Sequence, residues 1–242
     1  MGTLIGTEVK LLLRSGEFLV VAVLFPAVFF LVMSEVFGTM PPAGFDMSTY
    51  MMISMAAFGA VCGAVNVGQR VAQEKQAGWN RQLRLTPLPG WSYVLSKVVA
   101  AMVVVLPCVA LILLVGFLVK GVTLEPWHWL VIVLATWVGS IPFALLGLLI
   151  GLAAKPEAVA PLSVMAFLLL SMLGGLWMPV EILPSVMAAL ARALPSYWMA
   201  ESARELVAGR PLDLAGVAVV AVWLVVCGLV VGRLYRRDAA RA

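Results

Sequence analysis

The residues able to do chemistry are few and scattered. His128 is the only histidine in 242 residues, so one chain cannot assemble a multi-histidine metal or haem site. It stands between Trp127 and Trp129 at the start of an apolar run, the position of an interfacial residue rather than a ligand or base. No G-x-S-x-G turn is present, and no second histidine could pair with a serine. Cys62, Cys108 and Cys227 each lie inside an apolar run without paired spacing, as small packing residues do. No lysine follows a glycine, so the G-K-[ST] step of a P-loop is missing. The sequence thus offers no catalytic constellation, no metal site and no bound cofactor.

The elements that hold these residues are long and apolar. Residues 18–34, 47–69, 98–119, 126–154, 158–180 and 214–232 contain no Asp, Glu, Lys or Arg. A helix rises about 1.5 Å per residue, so ~20 apolar residues cross the ~30 Å hydrocarbon layer. Five of the runs reach or nearly reach that length, and the first joins them if it continues past Glu35 to Phe37. Hydrophobic residues make up 63% of the chain and charged ones 12%, too few charges to coat six soluble helices. The expected fold is an all-α integral membrane domain over residues 1–242, with transmembrane helices at 18–37, 47–69, 98–119, 126–154, 158–180 and 214–232. The first run follows a charged segment and has no small-residue cleavage site after it, so it reads as a retained helix.

The net charge of +4 reports topology. With the N-terminus assigned to the cytoplasm, twelve of the 16 basic residues fall inside and only Lys120, Arg192, Arg204 and Arg210 fall outside. That bias places both termini in the cytoplasm of a multi-pass plasma-membrane protein. The expected surroundings are membrane lipid, with no nucleic acid.

Three connections break the pattern. Residues 1–17 mix Glu8, Lys10, Arg14 and Glu17 with Leu4, Ile5, Val9 and Leu11–Leu13, which suits either an amphipathic interfacial helix or an extension of the first span. The connection 70–97 opens as a helix, breaks at Gly78 and stops at Thr86-Pro87-Leu88-Pro89-Gly90, because proline lacks the donor and restricts the residue before it. Between break and stop, 79–85 forms a short piece with Arg81 and Arg84 beside Trp79, Leu83 and Leu85. The region 181–213 holds an Ala-rich stretch bracketed by Pro184 and Pro195 and preceded by Gly174-Gly175-Leu176-Trp177-Met178-Pro179. Such a length favours a re-entrant segment; an amphipathic helix lying flat on the outer face is the alternative.

Polar groups within the runs are mild: Ser54, Asn66, Gln69, Thr136, Ser140, Ser163 and Ser171. The runs hold no carboxylate, whereas ion-coupled transporters keep ionisable groups near the midplane. Gly59-x-x-x-Gly63, Gly147-x-x-x-Gly151 and Gly228-x-x-x-Gly232 offer faces for close helix approach.

The chain resembles the ABC-2 type permeases, the membrane subunits of type V-fold ATP-binding cassette exporters, including the daunorubicin-resistance-like ones. Two patterns carry the resemblance: Glu74-Lys75-Gln76-Ala77-Gly78-Trp79-Asn80-Arg81-Gln82-Leu83-Arg84-Leu85-Thr86-Pro87-Leu88, and Gly174-Gly175-Leu176-Trp177-Met178-Pro179 followed by Leu183-Pro184 and Leu194-Pro195. Where the family often has a basic residue and hydroxyl neighbours after Thr-Pro, this chain has Pro89-Gly90-Trp91-Ser92.

The resemblance implies a cytoplasmic coupling helix at 79–85, within a site of Glu74, Gly78, Trp79, Arg81, Leu83, Arg84, Leu85, Thr86 and Pro87. It implies a second contact through the surface helix bearing Glu8, Lys10 and Arg14. It further implies two ABC ATPase subunits, which bind the ATP and Mg that this chain does not, and a second copy of the permease or a close relative. The expected function is outward movement of an amphiphilic drug, antibiotic or lipid-like substrate. Two alternatives stand beside it: a permease for membrane-stress or peptide resistance with a signalling partner, and a non-transport membrane enzyme or assembly factor. Met51, Met55, Phe58, Asn66, Met165 and Phe167 are the candidate substrate pathway, although Met and Phe in spans equally serve packing and lipid contact.

Overall fold

The computed structural model describes residues 20, 24–36, 46–76 and 90–240. The described chain is helical: α1 (Phe25–Val36), α2 (Met47–Val65), α3 (Val67–Gln76), α4 (Gly90–Lys120), α5 (Pro126–Gly139), α6 (Ile141–Ala153), α7 (Pro156–Leu173), a 3-10 turn at Val180–Ile182, α8 (Ser185–Arg192), α9 (Pro195–Val207) and α10 (Leu214–Ala240). Five helical stretches, Met47–Glu74, Tyr93–Lys120, Pro126–Ala153, Pro156–Leu173 and Leu214–Tyr235, are long and apolar enough to cross a membrane; the described part of the first span, Phe25–Val36, is shorter.

Helix α2 is the axis of the bundle. Every one of its residues except Ser48 is buried, and α1, α4, α6 and α9 pack around it, α4 most extensively. Its composition explains this: alanines and glycines leave little side-chain bulk and the flexible methionines fit the gaps between neighbours, so helices pack on all sides. Asp46 caps its start, accepting from the Ser48 amide at 2.7 Å and the Thr49 hydroxyl at 3.2 Å. By contrast α7 and α10 turn most of their apolar surface outward, as helices that face lipid or another subunit do.

The span expected at 126–154 is two helices, α5 and α6, meeting at Ser140. Pro142 lacks an amide donor in the first turn of α6, and the Ser140 hydroxyl donates to the Trp137 carbonyl at 2.7 Å. Helix α4 begins at Gly90 rather than at 98, which brings Tyr93 and Lys97 inside a helix. Helix α7 ends at Leu173 rather than running to 180, since Gly175 adopts φ 69°, a conformation that only glycine takes without strain. The region 181–213 contains two helices where one Ala-rich stretch was expected. The second, α9, is largely buried against α5, α10 and α2.

Glycine fixes a close crossing of α3 on α6. A Cβ on Gly68 would run into the Gly147 carbonyl, one on Gly147 into the Val65 carbonyl, and one on Gly151 would lie 2.6 Å from the Gly68 oxygen. The Gly147-x-x-x-Gly151 face is therefore spent inside this chain, whereas nothing lies within 4 Å of a Cβ added at Gly232. Replacing Gly147→Val should destabilise the bundle by about 2 kcal/mol or more, because backbone rather than a flexible side chain must yield. Melting in detergent checks this, with Gly232→Ala as the variant that should melt like the parent.

Candidate functional site

Charge collects at the two ends of α4. At one end Lys97, which is buried, pairs with Glu74 of α3. The Tyr93 hydroxyl donates to Glu74 Oε2 at 3.0 Å, and the Lys97 ammonium stands 5.7 Å from the Tyr93 ring centroid. Tyr93 in turn stacks on Tyr235 of α10 at 5.5 Å. At the other end Lys120 pairs with Glu35 of α1. Lys97 and Lys120 are roughly 34 Å apart along α4 at about 1.5 Å per residue, close to the ~30 Å hydrocarbon thickness. The Glu35–Lys120 pair is exposed on its carboxylate side and contributes little to stability. The Glu74 group is mostly shielded, so it joins three helices more firmly.

Glu74 is the one predicted coupling residue among the described residues. Gly78, Trp79, Arg81, Leu83, Arg84, Leu85, Thr86 and Pro87 lie outside them, as do Glu8, Lys10 and Arg14. Its partners Lys97 and Tyr93, and Tyr235 stacked on Tyr93, lie outside the predicted set, which places Lys97 in a loop. A basic residue about a turn after Tyr93, at the head of an apolar run, was the available signal.

The six candidate pathway residues do not share one surface. Met51, Met55 and Phe58 are buried in α2, and Phe167 is buried on α7, while Met165 is 52% exposed on the outward face of α7. Asn66 lines a shallow cleft with Gly63, Val67, Arg70, Ala100, Ala101 and Val104 between the α2–α3 junction and α4. What the fold does bring together is Phe58 and Phe167, edge to face at 5.6 Å. Trp177 lies 6.1 Å from Phe58 and 5.4 Å from Phe29, with Phe25 5.7 Å from Phe58. Trp177 follows the glycine break after α7, so that break returns an indole to the flank of α2. Aromatic pairs at these separations prefer the tilted and edge-to-face arrangements seen here.

A second polar cluster was not expected at all. Arg204 of α9 is 2% exposed and touches Glu201 of its own helix and Ser54 and Tyr50 of α2. The sequence reading counted Arg204 only as an outer charge and Ser54 only as a mild polar group. The signal was Glu201-x-x-Arg204 at i,i+3, with Ala200 and Ala203 beside it marking a face that goes inward.

A bundle of apolar spans around a central helix, with ionic groups gathered at the ends of its longest helix, is a polytopic membrane protein. The chain matches the ABC-2 type transporter family over residues 1–207 and belongs to that family. It is 32% identical over 203 residues to a Bacillus subtilis (strain 168) protein named "Putative transport permease YvfS", the match covering 84% of this chain and 83% of that one. The chain is thus a transmembrane permease of an ABC system, and its family implies association with an ABC ATPase subunit.

Removing the carboxylate by Glu74→Ala takes the counter-ion from the shielded Lys97 ammonium and should cost about 2 kcal/mol. Tyr93→Phe, which removes one hydrogen bond to a charged group, should cost less, about 1 kcal/mol. Denaturant unfolding in detergent measures both, and reversal of that order would show that Glu74 is not the hub of the cluster.

Proposed function

We propose that this chain forms the membrane half of an ATP-driven exporter for an amphiphilic drug, antibiotic or lipid-like molecule. It works beside a second copy or a close relative, and each permease docks one ATPase subunit through 79–85. The termini and the Glu74–Lys97 end face the cytoplasm, the Glu35–Lys120 end faces outward, and ATP with Mg is held by the ATPase. The observation that carries this reading is the family match over residues 1–207, which spans the connection 70–97.

The geometry supplies a route for work. Helix α3 ends at Gln76, close to Glu74 and just ahead of 79–85. A push on that segment loads α3, and the Glu74–Lys97–Tyr93 group passes the load to α4. The Tyr93–Tyr235 stack passes it on to α10. ATPase closure would then tilt packed spans as rigid bodies between inward and outward access. It can do so only if the ATPase dimer fits one tilt better than the other. Greasy cargo accords with an interior of methionine and aromatic side chains around α2, adaptable surfaces that favour no single shape.

Replacing Leu83→Asp together with Arg84→Asp should abolish co-purification of the ATPase while the permease still inserts in the membrane. Undiminished pull-down by the double variant would sink the docking assignment. In proteoliposomes of the complete complex, amphiphilic cargo should stimulate ATP hydrolysis; a complex that is indifferent to every amphiphile, yet stimulated by a hydrophilic ion, would overturn the cargo class.

A further inference from the structure

Arg204 is a cation buried in the bundle, and its contacts divide unevenly. Its Nη1 donates to Glu201 Oε2 at 2.7 Å, within α9. Its Nη2 donates to Ser54 Oγ at 2.7 Å, across to α2, and the guanidinium lies 3.9 Å from the centroid of the Tyr50 ring, also on α2. Ser54 spends its own proton on the Tyr50 carbonyl at 3.1 Å, so its oxygen is oriented to accept. Glu201 Oε1 points toward the half-exposed Arg210, 3.9 Å away. The Arg204 Nε has no hydrogen-bond partner.

This is a poor way to glue two helices and a good way to let them part. A buried ion pair often stabilises no more than apolar side chains of the same volume, so packing alone does not call for Arg204. Because the counter-ion sits three residues away on the same helix, α9 can leave α2 carrying a neutral pair instead of a naked charge. The polar contacts broken between the helices are one charge-assisted hydrogen bond and one cation–π contact, both of which water can replace. The unpartnered Nε gains a partner as soon as water enters. On its other sides α9 is anchored differently. Ser196 donates to the Leu170 carbonyl at 2.6 Å, Met199 fills the space over Gly139, and Trp198 lies on Gly216.

We propose that Arg204 is the positioning residue of the outer gate: its contact with Ser54 and Tyr50 latches α9 onto α2 in the closed state, and each export stroke breaks that contact while the Arg204–Glu201 pair stays intact. This rests on the export reading and on the orientation that puts the Glu35–Lys120 end outside.

The test uses the complete permease–ATPase complex in lipid nanodiscs. Spin labels go on Ser48→Cys, at the start of α2, and Ala208→Cys, just past α9; the native cysteines are all buried, so labelling is selective. Pulsed electron paramagnetic resonance reads the distance without nucleotide and after vanadate trapping. The parent should show a short distance that lengthens on trapping. Ser54→Ala keeps the Arg204–Glu201 pair and removes the hydroxyl that accepts from Arg204, together with that hydroxyl's own bond to the Tyr50 carbonyl. It should raise the long-distance population without nucleotide by about tenfold, the equivalent of about 1.4 kcal/mol, and raise basal ATP hydrolysis. Arg204→Lys keeps the charge but cannot span Glu201 and Ser54 with a planar fork, and should shift the population in the same direction. Parent-like distances in both variants would overturn the latch. So would cargo export by a parent complex in which the α2–α9 distance never changes, and in that case the export reading survives. Neither export nor a distance change in the parent would overturn the export reading, and the latch with it.

Discussion

Hydrocarbon offers no partner to a charge or a bare peptide group, and the rest of this structure follows from that. Backbone groups are satisfied within helices, and the ionic groups at the two ends of α4, Glu74–Lys97 and Glu35–Lys120, are spaced like the two faces of the layer between them. Where charge does enter the bundle, at Arg204, it arrives with a carboxylate on the same helix and a hydroxyl and a ring on the next. The cost of an unsatisfied polar group in lipid is several kcal/mol, so each of these pairings constrains where helices can sit.

Association of helices in lipid depends on close van der Waals contact, because lipid is as apolar as the side chains themselves. That is why α2 is built from small and supple residues and is buried all round, and why the α3–α6 crossing rests on Gly68, Gly147 and Gly151. The helices with bulkier apolar surfaces, α7 and α10, occupy the periphery. The result is a central axis with end-on connections, in which a compact polar contact at Glu74 joins α3 to α4 and the Tyr93–Tyr235 stack joins α4 to α10. The two polar clusters thus have complementary designs: the Glu74 group binds three helices, while the Arg204 group touches its neighbour through contacts that water can replace.

Composition and run length were enough to read an all-helical membrane protein, because the exclusion of charge from hydrocarbon acts on each segment separately and leaves its mark on the linear chain. The motif around Glu74 and the Gly174–Pro179 break likewise carried the ABC-2 resemblance, since a Thr-Pro step and a glycine pair are local features of the sequence. Tertiary structure alone decided which charged and polar residues meet. Lys97 finds Glu74 only because α4 starts earlier than its apolar run. Arg204 finds Ser54, 150 positions away, only because α9 folds back onto α2. Likewise Gly147-x-x-x-Gly151 could have faced another subunit as readily as α3, and Phe58 meets Trp177 only through the break after α7. Periodicity tells a helix which side is apolar. It does not say which neighbour that side will touch, because in lipid many apolar surfaces are nearly equivalent until glycine contacts and paired charges single one out.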